Sequence, residues 1–199
     1  DTMTQKFLID VSTENEDRKA HEFGRLQKMV DYCHTPNCLR QFIIQYFGDT
    51  EAPDDCKNCS NCRGETERID VTIDAQKVFS CIYRMRERYG MTMVAQVLKG
   101  PNDQSVLKFR LNELSTHGIM HDKSIADIKL LIQRFVATDY LALTESEYPV
   151  LRLQPAAYEV LRGKETVTQQ IHKKKVRQQV DATLFDYLRT LRKELAARD

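Results

Sequence analysis

The 199-residue chain has no tryptophan, five prolines and seven glycines. With so little Pro and Gly, a collagen-like or low-complexity chain is excluded. No apolar run approaches the ~18–20 residues of a membrane span, so no membrane partner is expected. No G-x-x-x-x-G-K-[ST] stretch occurs, which removes the phosphate loop of a nucleotide hydrolase. Net charge is only +1, so composition alone says nothing about a polyanionic partner. What is present is 41% hydrophobic and 30% charged residues, the balance of a globular protein.

Charge is unevenly distributed. Residues 1–76 hold 9 Lys/Arg against 15 Asp/Glu, and residues 77–134 hold 10 against 5. Residues 135–163 hold 2 against 4, and 164–199 hold 9 against 5. An acidic first third followed by a basic middle predicts two domains with different work.

The six cysteines are the most informative residues. Cys56, Cys59 and Cys62 form a C-x2-C-x2-C run with no apolar residue between them, so a hydrophobic core does not explain them. Zinc takes four ligands in a tetrahedron and favours thiolates. The fourth sulfur comes from Cys38 or its rival Cys33. Cys38 lies near the expected start of a helix, where free amides and the helix dipole favour a thiolate. All-sulfur coordination leaves no position for water, so the site is expected to be structural. An iron–sulfur cluster is the competing reading, but the Cys-Pro that usually continues such a run is absent. Disulfides would need an oxidising compartment, whereas an intracellular chain is expected here. Cys81 falls on an amphipathic helix and reads as core, and His34 as a loop residue beside the site.

Helical periodicity marks residues 16–33, carrying Phe23, Leu26, Val30 and Cys33, and about 38–47, closed by Gly48. The cysteine loop follows at 49–64, and "RGETERIDVT" reads as a polar linker. Beyond Asp74, helices are expected at 75–89, 92–99, 105–117 and 125–138. "YLALT" and "PVLRL" then form a β-hairpin, and "AAYEVLRG" a last short helix. Helices followed by a small hairpin are the element order of a winged helix. The fold class is therefore mainly α with a small β-hairpin: a zinc-bound helical hairpin followed by a winged-helix domain. Residues 164–182 read as a linker containing "HKKKVR". From Thr183 an amphipathic helix begins, with Leu184, Leu188, Leu191 and Leu195 in register.

The stretch from "RKAHEFGRLQ" through "CLRQFIIQYFGDTEAPDDCKNCSNC" closely resembles the zinc-binding segment of RecQ-family DNA helicases, with Cys, Tyr-Phe-Gly and Cys-x2-Cys-x2-Cys in that order. "VFSCIYRMRERYG", "VAQVLKG" and "LTESEYPVLRL" resemble that family's winged helix, the RQC region. "LFDYLRTLRKEL" looks like the opening of its helicase-and-RNase-D C-terminal (HRDC) domain. The resemblance implies Cys38, Cys56, Cys59 and Cys62 as zinc ligands. It also implies a bacterial, cytoplasmic, nucleoid-associated parent that unwinds DNA from 3′ to 5′ with ATP and Mg²⁺ in repair, recombination and replication. The expected division is 1–15, the tail of a motor that is not in this sequence; 16–66, the zinc-binding hairpin; 74–163, the winged helix; 164–182, the linker; and 183–199, the start of an HRDC-like domain. On its own such a fragment is expected to be inactive as an enzyme.

The expected partner is double-stranded or forked DNA, held by phosphate contacts. Cations, hydroxyls and helix N-termini make such contacts. "HDKS" before 125–138 offers His121, Lys123 and Ser124, and "KGPNDQS" offers Lys99, Asn102 and Ser105. Lys108 and Lys129, with Arg84, Arg88 and Arg110, are flanking candidates. Many relatives have Gly-Ser where this chain has Pro101, which lacks an N–H to donate. The hairpin tip, Glu145–Tyr148, carries two carboxylates, so a strand-parting wedge at Tyr148 is not expected. Other expected partners are the parent's own motor domains and a single-strand-binding protein. A zinc-stabilised protein-interaction module is the alternative, since winged helices also bind proteins.

Overall fold

The computed structural model describes residues 2–49, 51–63, 66–101, 103–146, 148–172 and 182–197. It opens with helix α1 (Thr2–Ser12), where the sequence suggested only a tail. Lys19 ties α1 to the next helix, its ammonium 2.9 Å from Asp10 and 3.4 Å from Glu16. Helix α2 (Glu16–His34) begins where Asn15 accepts the Arg18 amide, and it ends at Thr35, before Pro36. Helix α3 (Leu39–Tyr46) returns beside α2, with Tyr32 and Phe42 packed at 5.9 Å. His34 is the last residue of α2 rather than a loop residue. The cysteine loop is not irregular throughout. A helical turn, α4 (Ser60–Arg63), closes it, with the Arg63 amide donating to the Cys59 carbonyl at 2.9 Å.

The stretch read as a polar linker contains strand β1 (Thr66–Asp70). Helix α5 follows at Thr72–Arg84, and the chain leaves it through Arg86 and Glu87, both left-handed, at φ 56° and 52°. Helix α6 (Met91–Lys99) ends at Gly100, whose φ of 86° suits a residue without Cβ. The single helix expected over 105–117 is interrupted. Helix α7 covers only Gln104–Lys108, and after a left-handed Arg110 a 3₁₀ turn spans Leu111–Glu113. The break changes which residues face inward: Val106 and Leu111 are buried, while Leu107 is 45% exposed.

Helix α8 (Ile125–Ala137) is the central helix, burying Ile128, Leu131, Ile132, Phe135 and Val136. Strands β2 (Leu141–Leu143) and β3 (Leu151–Leu153) form the antiparallel wing, with Leu141 opposite Leu153 and Leu143 opposite Leu151. Helix α9 (Pro155–Leu161) starts with proline in its first turn, where no amide is needed. The core gathers one side of every element from α5 to α9. Phe79 meets Phe135 at 5.1 Å and Tyr140 at 5.9 Å. Tyr140 donates to Glu165 at 2.8 Å; burial, then that carboxylate, pushes its pKa up to about 12.

The expected linker after residue 163 also carries structure. Strand β4 (Thr168–His172) pairs antiparallel with β1, Ile69 opposite Gln169 and Asp70 opposite Thr168. Val167 is buried, and its amide donates to the Thr72 hydroxyl at 2.9 Å. Both short strands are polar, so neither shows a hydrophobic alternation. Each satisfies the backbone groups of the other across about a hundred residues. Ordered packing of the winged helix thus runs past both expected ends, 74 and 163. "HKKKVR" from Lys173 onward lies outside the described residues. Helix α10 (Ala182–Ala196) follows, and its described side chains from Phe185 onward are exposed.

Helix α2 packs on α8, so the first unit sits against the second. The wing joins this contact: a Cβ built on Gly24 of α2 would meet Glu145 Oε1 at 2.8 Å. No helix among the described residues is long and apolar enough to cross a membrane.

Candidate metal centre and nucleic-acid surface

Cys38, Cys56, Cys59 and Cys62 place their sulfur atoms within 4.8 Å of one another. A zinc–sulfur bond of about 2.3 Å in a tetrahedron requires sulfurs about 3.8 Å apart, so the cage needs only a small contraction to close. Each sulfur is held by local backbone. Cys38 is the N-cap of α3, and its sulfur accepts the Gln41 amide at 3.5 Å. The Cys56 sulfur accepts the Cys59 amide at 3.2 Å, in a knuckle turned by left-handed Lys57 and braced by Asp55, which accepts the Lys57 amide at 2.8 Å. The α4 turn brings Cys62 round. Asn61 then staples that turn to the α2–α3 junction, donating to the Thr35 and Asn37 carbonyls at 3.0 and 2.8 Å.

This environment favours the thiolate at Cys38 and Cys59. Burial alone would raise the Cys38 thiol, but the amides of Gln41 and Cys56 outweigh it and lower its pKa. Burial also opposes ionisation of Cys59, yet the Cys62 and Leu39 amides bring it to about 6. Cys62 moves the other way, raised by burial and then by its hydrogen bond with Cys59. Four soft donors with no oxygen ligand fit a structural Zn²⁺. Cys33 is exposed and stands outside the cluster, whereas Cys38 belongs to it. Cys81 is a core residue: its sulfur lies 3.5 Å from that of Met85, and burial pushes its thiol up to about 11.

The two loop-to-helix junctions lie side by side. The Lys99 ammonium donates to the His121 carbonyl at 2.5 Å. The Gly118 and Met120 amides donate to the Val97 and Leu98 carbonyls, both at 2.9 Å. Gly100 and Gly118 approach so closely that a Cβ on Gly100 would lie 2.6 Å from the Gly118 Cα. Lys99, Ser105, His121, Lys123 and Ser124 therefore border one region. Asn102 lies outside the described residues.

Three carboxylates at this region were missed from the sequence. Ser124 caps α8, accepting the Asp127 amide at 3.1 Å while its hydroxyl donates to Asp127 Oδ2 at 2.7 Å. Asp103 caps α7, accepting both the amide and the hydroxyl of Ser105. Lys123 is 3.2 Å from Asp74. The helix starts are thus less open to an anion than expected. The S-x-x-D spacing at Ser124–Asp127 is the readable signal for one of these caps. Lys129, on α8, is half-buried, and Lys108 lies 5.8 Å from the centre of the Phe109 ring.

Two family models match the chain. A family model for the RecQ zinc-binding segment matches residues 1–63, and one for the RQC domain matches residues 65–178. The chain is 41% identical to the ATP-dependent DNA helicase RecQ of Bacillus subtilis (strain 168), over 99% of the chain and 33% of that protein. Helicases of the same name from Pasteurella multocida and Haemophilus influenzae are 32% and 30% identical, covering 88% and 98% of the chain and 29% and 33% of those proteins. The chain spans about a third of the length of these curated relatives.

Proposed function

Since the chain belongs to the RecQ family, comprising its zinc-binding and RQC regions, we propose that it grips duplex DNA by its phosphates on behalf of a helicase motor. The motor of the longer protein supplies 3′ to 5′ unwinding with ATP and Mg²⁺, in repair, recombination and replication. Its setting is the bacterial nucleoid in the cytoplasm, and a single-strand-binding protein is a further partner. Zn²⁺ held by Cys38, Cys56, Cys59 and Cys62 fixes the α2–α3 hairpin, which in turn buttresses α8.

One observation carries the reading: the bond from Lys99 to the His121 carbonyl unites the two junctions. Lys99 and Lys123 supply charge there, while Ser105, His121 and Ser124 supply short polar groups. Lys108 and Lys129 flank them. Asn102 belongs to the proposed set by sequence position. Phosphate contacts fix position without reading bases, so little sequence preference follows.

The test is a titration of blunt duplex at two salt concentrations. Four lysines neutralising about four phosphates give a log–log salt slope of roughly −3 to −4. Affinity indifferent to salt, or lost on one base-pair change, refutes the reading. Absence of duplex binding in zinc-loaded protein leaves the protein-interaction module as the function.

A further inference from the structure

At the far end of α7 from the junctions lies a second surface of different chemistry. Tyr89 and Phe109 meet edge to face, ring centres 5.7 Å apart, and Phe109 is 49% exposed. Arg86, Arg88, Lys108 and Arg110 flank this pair in the chain and are all exposed. Among the described residues, none of the four has a carboxylate within ion-pair distance. Glu87 faces away, accepting from the Leu153 amide at 3.1 Å and the Tyr158 hydroxyl at 3.3 Å. Arg86 and Arg110 hold left-handed backbone, at φ 56° and 54°, a conformation glycine or asparagine adopts more easily. The wing root borders the patch, because the Leu151 amide donates to the Tyr89 carbonyl at 3.1 Å.

Exposed cations around an open aromatic face suit a single nucleic-acid strand: phosphates meet the cations and a base stacks on the ring. Duplex bases are already stacked and would offer Phe109 no face. We propose that the Tyr89–Phe109 edge is a stacking platform for single-stranded DNA leaving the duplex held at the Lys99–His121 junction. When the duplex phosphate assigned to Lys108 above draws its ammonium from the Phe109 ring, 5.8 Å away, the ring face is freed for a base. Helix α7 is the spacer. Its five residues rise about 7–8 Å, one or two nucleotides of strand. The inference rests on the duplex reading above for where the strand comes from.

The experiment compares the zinc-loaded chain on a blunt duplex, the same duplex with a short oligo-dT tail, and free oligo-dT. The tail is expected to tighten binding, and Phe109→Ala to remove about tenfold from the tailed and free strands, with the blunt duplex unchanged within about twofold. Phe109→Tyr, which keeps the ring, restores the increment, and matching thermal unfolding of the variants shows that the fold is intact. No tail increment in the wild type overturns the proposal, as does an equal loss by Phe109→Ala on blunt and tailed DNA. Preferential capture of an acidic peptide, with oligo-dT unable to displace it, also overturns it. Failure on the blunt duplex alone, with Phe109-dependent oligo-dT binding retained, strikes the duplex reading and not this one.

Discussion

Replacing Gly100 by alanine tests the contact that joins the two junctions. Two penalties act together. The backbone there has φ 86°, and a Cβ-bearing residue in that region loses about 1–2 kcal/mol. The added Cβ also falls 2.6 Å from the Gly118 Cα and 3.1 Å from its nitrogen, and neither backbone atom can rotate aside. Overpacking of this kind costs about 1–3 kcal/mol. Gly100→Ala should therefore lose about 2–5 kcal/mol in urea unfolding of the zinc-loaded protein. At about 2–4 °C per kcal/mol for a chain of this size, melting falls by roughly 4–20 °C. Gly163→Ala separates the two effects. Gly163 is also left-handed, at φ 72°, but nothing lies within 4 Å of its added Cβ, so only the backbone cost of about 1–2 kcal/mol applies. Equal losses in the two variants, within about 0.5 kcal/mol, would refute the steric argument.

Two further outcomes follow from the first unit. Cys38→Ser should abolish stoichiometric zinc binding and expose α2 and α3 to proteolysis, since metal and folding are coupled by roughly 10 kcal/mol. Cys33→Ser should leave both zinc content and protease resistance as they are; matching losses in the two variants would break the assignment of the cage. Asp31 is buried, which raises its pKa above the ordinary carboxylate range despite the bond from Gln27 at 2.7 Å and the nearby charge of Lys28; the Asp139 carboxylate raises it further. The native state therefore holds this proton more tightly than the unfolded chain, and stability falls as pH rises from the unfolded value through the native one. Asp31→Asn should gain stability at neutral pH and lose that advantage below about pH 4, the range of a free aspartate; a gain that persists unchanged in acid contradicts the linkage.

Local signals made much of this molecule readable. Ser124 before an apolar period marked the start of α8, and the cysteine spacing marked the cage. Cys38 was reachable because helix starts favour thiolates, and it does cap α3. What escaped was non-local or compensated. Strands β1 and β4 are polar, and each exists only because a distant segment completes its hydrogen bonds. Periodicity predicted one helix over 105–117, but left-handed Arg110 breaks it, burying Val106 and leaving Leu107 exposed. At the junctions, cations and hydroxyls stood out in the sequence. Asp74, by contrast, lies 49 residues from the Lys123 it meets, and no local pattern links them.

The β1–β4 ladder has a mechanical consequence. Thr66 faces His172 across its outer pair, so chain entry and exit stand one strand spacing apart, about 5 Å. Tension applied through the flanking segments would open the ladder one rung at a time, the weak direction for a hairpin, and would reach the aromatic centre only after the clasp had parted.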